Sequence, residues 1–143
     1  MPYEFLEDVA TADIAFRARG ADLNELFAAA ADATMNVMIA DLATIEPRVT
    51  KSVTDEADAE DLLLVEFLQE LIYYKDAERL LLRPTSVRVQ HSGRRLQVSA
   101  ALAGEPLDPK KHEQQVDVKA VTYHRLEVKR TDRGWEAFVI LDI

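Results

Sequence analysis

The residues best suited to chemistry are carboxylates. The stretch WEAFVILDI (135–143) is almost wholly apolar until Asp142 interrupts it. In a strand, Trp135, Ala137, Val139, Leu141 and Ile143 share one face, and Glu136, Phe138, Ile140 and Asp142 the other. Both faces are apolar near the end, which predicts burial on two sides. A terminal carboxylate at Ile143 adds a second negative group. Asp13 interrupts the apolar stretch TADIAFRARG (11–20) in the same manner. If these two strands are neighbours, Asp13, Asp142 and the terminal carboxylate converge. Two carboxylates about 4 Å apart repel by about 4 kcal/mol at an effective dielectric near 20. A whole domain is stable by roughly 5–15 kcal/mol, so the group needs compensation. A hard divalent cation, calcium before magnesium, suits such an all-oxygen site. The alternative is a salt bridge from Asp142 to Lys119, which shares a strand face with Val121 and Tyr123.

Other candidates are weaker. His91, His112 and His124 lie far apart, without metal-type spacing. His124 is in phase with Val118, Ala120, Leu126 and Val128, which reads most simply as a hydrogen-bonded core residue. Glu66 and Glu70 share one side of a helix and could form an acid/base pair, although a solvated face is the plainer reading. The cluster DEADAED (55–61) reads as helix-start chemistry, and its spacing does not fit a calcium-binding EF-hand loop. The four glycines are isolated, so no Gly-rich phosphate loop is present. No serine lies in a nucleophile elbow, and the absence of cysteine excludes thiolate chemistry and sulfur-ligated zinc.

The elements that must position the carboxylates follow from periodicity. TADIAFRARG alternates as a half-buried strand closed by Gly20. ADLNELFAAAADATMNVMIADL (21–42) has helical spacing, with Asp22 as cap and Glu25 three residues on. TIEPRVTKSVT (44–54) reads as a strand that begins at Pro47. DEADAEDLLLVEFLQELIYYKDAERL (55–80) is a second helix, capped by Asp58 and burying Leu64, Phe67, Leu68 and Leu71. SVRVQHSGRRLQVSAAL (86–102) is a hairpin turning at Ser92-Gly93. GEPLDPKKHEQQ (104–115) is a polar loop. VDVKAVTYHRLEVKR (116–130) pairs with GWEAFVILDI (134–143) across TDRG. This order predicts an α+β fold, two helices packed on a mainly antiparallel β-sheet, as a two-layer single domain over residues 1–143.

The 143 residues are 48% hydrophobic and carry a formal charge of -9. The basic pairs Arg94-Arg95 and Lys110-Lys111 make no stripe, so direct nucleic-acid binding is not expected. No apolar run approaches the roughly 20 residues that span a membrane. The first residues lack a signal-peptide pattern, and a cytoplasmic protein is expected.

At VDVKAVTYHRLEV the chain closely resembles the archease family. TADIAFRARGADLNELFAAAADATMNVM, DLLLVEFLQELI, ALAGEPLD and the closing ILDI extend the resemblance over essentially the whole sequence. It implies a small acidic α+β protein that acts as cofactor of an RtcB-type RNA ligase, the enzyme of tRNA splicing and RNA repair. The ligation itself would belong to the partner; the cofactor would speed guanylylation of the ligase and allow multiple turnover. The resemblance implies a divalent-metal site formed by Asp13, Asp142 and the terminal oxygens of Ile143, with Lys119 as a functional candidate and His124 a second. One departure stands out. Many archeases read D-H-T-A-D, where this chain has Val9-Ala10-Thr11-Ala12-Asp13. The resemblance thus retains the ligand and loses a histidine that would contact the metal's surroundings or the partner. Two other readings fit the same carboxylates: a metal-dependent hydrolase with His124 or Lys119 as base, and a chaperone-like scaffold with a structural ion.

Overall fold

In the first helix Asp22 is extended and its Oδ1 accepts from the Glu25 N–H at 2.8 Å. That bond satisfies one of the donors a helix start leaves open, and α1 runs from Leu23 to Met38. The computed structural model describes residues 2–6 and 13–143. The substituted position Ala10 lies outside the described residues.

Chain order is β1 (Tyr3–Leu6), β2 (Asp13–Gly20), α1, a short 3-10 turn (Leu42–Thr44), β3 (Val49–Ala57), α2 (Glu60–Glu78), β4 (Leu80–Ser92), β5 (Arg95–Pro106), β6 (Ala120–Val121), β7 (Glu127–Thr131) and β8 (Gly134–Asp142). The α+β class and the two helices agree with the sequence reading. The strands, all paired antiparallel, divide between two sheets rather than one. One sheet runs β1-β2-β8-β6 with β7 also on β8; the other runs β3-β5-β4. Alternation identifies which face of a strand is buried, but not which edges meet.

Helix α1 packs on β2 and on β4, so it spans both sheets, and α2 packs on β3 and β4. Phe27 of α1 stacks on Phe67 of α2 with ring centroids 5.8 Å apart at the centre of the core. The predicted stripe Leu64, Phe67, Leu68 and Leu71 is fully buried. At Gly104 β5 lies close on β4: a Cβ there would collide with the Leu81 carbonyl. No helix of the described residues is long and apolar enough to cross a membrane.

Three local expectations change. Ala59, not Asp58, holds the N-cap of α2, because the Asp58 carboxylate is drawn across to Arg95 Nε at 3.1 Å. The β4–β5 hairpin turns one residue later, at Gly93-Arg94, with Gly93 at φ 65° supplying the left-handed residue. The 116–130 segment is not one strand. Arg125 at φ 55° turns the chain between β6 and β7, and both short strands then pair with β8. Strand β1, which carries only four residues, had no periodic signal of its own.

Candidate functional site

Strands β2 and β8 pair over eight residues, and the register sets Asp13 directly opposite Asp142. Opposed residues of an antiparallel pair point to the same face with Cβ atoms about 4.5–5.5 Å apart, and like charges so placed destabilise the pair. Both aspartates are half-buried. Ile143 and Ile14 pack partly buried against the main core, which anchors the backbone immediately beside Asp142. The juxtaposition expected from two interrupted apolar strands is therefore formed.

Strand β6 closes the other edge of β8. Ala120 stands opposite Asp142, the Lys119 N–H donates to the Asp142 carbonyl at 2.8 Å, and Thr122 donates both its N–H and its Oγ1 to the Ile140 carbonyl, each at 3.0 Å. The Lys119–Asp142 salt bridge, the competing reading, is not formed. The register brings the backbone of Lys119, not its ammonium, to Asp142, and the Lys119 side chain is exposed. The Lys119 backbone thus stands beside Asp142, and its ammonium does not pair with that carboxylate.

The core reading of His124 also fails. His124 is exposed in the turn at Arg125, where the strand alternation is interrupted. Tyr123 beside it is 63% exposed, and the Arg125 guanidinium lies over the Phe138 ring at 5.1 Å. Glu66 and Glu70 do not face only solvent. Asp55 of β3 meets them, and burial first, then the Glu70 charge, push its carboxyl up to about 7; its Oδ2 is buried without a partner.

The polar loop after β5 conceals a charged cluster that sequence reasoning missed. Glu105, 5% exposed, accepts from the Glu46 N–H at 2.9 Å, from His112 Nε2 at 2.9 Å, from Lys111 Nζ at 2.7 Å and from Arg48 Nε at 3.2 Å. His112, 1% exposed, accepts at Nδ1 from the Asp108 N–H, which sets the Nε2–H tautomer. The Glu46 N–H first, then Lys111 and His112, hold the Glu105 carboxyl down to about 2. No spacing in the sequence distinguishes these residues from an ordinary solvated loop.

As a metal centre, the Asp13–Asp142 pair offers two carboxylates on one sheet face, and the chain continues from it to Ile143. Oxygen donors of this kind fit a hard divalent cation, with the remaining positions left to water. Among the described residues no group of three His, Cys, Asp or Glu side chains could hold a metal ion.

Comparison with known proteins gives one consistent answer. The family model described as the Archease protein family matches residues 3–143. "Protein archease" of Pyrococcus abyssi is 35% identical over 134 residues, 93% of this chain and 94% of that protein. "Protein archease" of Methanosarcina acetivorans is 34% identical over 142 residues, 99% of this chain and 95% of that protein. The solution structure of Methanobacterium thermoautotrophicum protein 1598 superposes with a TM-score of 0.86 at 32% identity, covering 99% of each chain.

Proposed function

The chain belongs to the archease family, and from that premise we propose that it is the protein cofactor of an RtcB-type RNA ligase in the cytoplasm. Family identity supports a cofactor role. The finer reading is that the protein promotes guanylylation of the ligase and its repeated turnover, using a divalent cation held by Asp13, Asp142 and the Ile143 terminal oxygens. The observation that carries it is the register of β2 on β8, which opposes two aspartates that no described cation neutralises. Calcium is the cation the oxygen donors suit best. When bound, it would supply positive charge at a face otherwise negative. The protein's own contribution is to hold the two carboxylates on paired strands, with the Lys119 backbone bonded to the Asp142 carbonyl.

The formal charge of -9 suits docking against the basic nucleotide and RNA cleft of a ligase. Binding should then weaken as salt is raised; affinity independent of salt would remove charge steering from the account. The direct test mixes substoichiometric protein with an RtcB-type ligase of the same cell, GTP and a divalent metal, and follows covalent guanylylated ligase with time. Clear acceleration, lost in Asp142→Ala, supports the reading. Absence of acceleration with folded protein and active ligase contradicts it.

A second reading has one observation in its favour. The aspartates lie on the seam between the two longest strands of their sheet, where an ion would stabilise the fold. If metal raises the melting temperature while guanylylation stays unchanged, the protein is a scaffold with a structural ion.

A further inference from the structure

We propose that Gln69 and Lys75 of α2 are positioning residues that grip the peptide on both sides of Lys119 and so fix where that lysine stands beside the Asp13–Asp142 pair. The proposal rests on the reading of that pair and Lys119 as parts of the functional site.

Lys119 lies in a stretch with little structure of its own. Residues 116–119 belong to no strand, and β6 is two residues long at the edge of its sheet. Such a segment leaves backbone groups that need partners. On the β8 side the Lys119 N–H donates to the Asp142 carbonyl, and Thr122 beyond β6 to the Ile140 carbonyl. On the other side α2 supplies partners for two backbone groups. Lys75 Nζ donates to the Val118 carbonyl at 2.9 Å and to Asp117 Oδ1 at 2.5 Å, and its side chain is only 12% exposed. Gln69 Oε1 accepts from the Val121 N–H at 2.9 Å. Val118 and Val121 are buried in the core on either side of these contacts.

The geometry is matched. Gln69 and Lys75 are six residues apart, about 9 Å along a helix. Val118 and Val121 are three apart, about 10 Å in extended chain. The segment therefore runs alongside α2 in the opposite direction, tied at both ends. The exposed Lys119 side chain projects from a backbone bonded to β8 and tied to α2 on either side. Gln69 is itself exposed, so its role does not come from filling the core. Its acceptor covers the open edge of β6.

The test uses four variants of the full chain. Gln69→Leu and Lys75→Met remove the polar contact and keep the bulk; Gln69→Glu retains an acceptor and Lys75→Arg a charged donor. Two readouts are taken: amide hydrogen exchange in the protein alone, and guanylylation of the ligase as a function of activator concentration. In Gln69→Leu, exchange of the Val121 N–H should quicken about two- to tenfold, with α1 and β5 unchanged. In both Gln69→Leu and Lys75→Met the maximal acceleration should fall about tenfold at an unchanged half-saturating concentration, and Gln69→Glu and Lys75→Arg should recover it. Wild-type acceleration in Gln69→Leu and Lys75→Met overturns the proposal, as does exchange at Val121 that does not change. If wild-type protein fails to accelerate guanylylation at all, the functional reading falls, and the exchange data alone decide whether the grip exists.

Discussion

Two groups of carboxylates on this chain are treated in opposite ways. Around Glu105 every negative charge is met: a backbone N–H, His112, Lys111 and Arg48 converge on it, and Glu46 takes Lys111 at 2.6 Å and Arg48 at 3.1 Å. At the other site Asp13 faces Asp142 across a strand pair, and the nearest lysine in sequence register offers only its N–H. The first arrangement is architecture, an ion cluster around a buried carboxylate that ties the loop after β5 to the segment before β3. The second holds like charges together on the longest strand pair of the sheet. Like charges so placed destabilise a strand pair, and under the proposed function a cation offsets them. Asp55, packed against Glu70 and Glu66, is intermediate, because one carboxyl there takes up a proton instead.

Breaking the satisfied cluster should cost most. Glu105→Ala leaves the His112 Nε2–H and the Glu46 N–H without their acceptor and should destabilise the protein by about 2–4 kcal/mol in urea or thermal unfolding. Calcium binding should be unaffected. The same carboxyl gives the acid limb. Its pKa is held down to about 2 in the folded protein from an ordinary 4.5, so its stabilisation is present above pH 4.5 and is lost as pH falls toward 2.

Asp55 should do the reverse. Its folded pKa is raised from 3.8 to about 7, so the folded state favours the proton. That contribution is fully present below about pH 4 and is lost as pH rises through 7. Asp55→Asn should flatten the alkaline limb and raise stability at pH 8 by about 1–2 kcal/mol, a few degrees in Tm. A variant no more stable than wild type at pH 8 would mean that the three carboxylates do not share this proton.

The smallest effect on stability should come from the opposed pair itself. Without metal, Asp142→Asn removes a cross-strand repulsion and should gain about 0.2–1 kcal/mol. A loss of more than that would place Asp142 in a compensated network like that of Glu105.

Much of the opposed pair was legible in the sequence, and little of the satisfied cluster. Asp13 and Asp142 each interrupt an apolar alternation, a local signal, and one topological guess joined them. Asp22 was readable for the same reason, since a cap acts on its own helix. Glu105, His112 and Glu46 act through the fold: Glu46 and Glu105 are 59 residues apart in sequence and meet only once β3 pairs with β5. Asp58 has the residue type of a cap, but Arg95, 37 residues away, draws its carboxylate off the helix. The strand period that would bury His124 is broken by one left-handed residue, Arg125. The division of the strands into two sheets was hidden likewise, since periodicity carries no information on strand partners.

The most direct test of the central claim is a calcium titration followed by thermal unfolding, on wild type, Asp13→Asn and Asp142→Asn. Wild type should be stabilised as calcium rises, by about 2.7 kcal/mol when the ion stands at a hundred times its dissociation constant, and both variants should show no response. Equal stabilisation of all three proteins, or none in wild type, would show that the opposed aspartates are not a cation site.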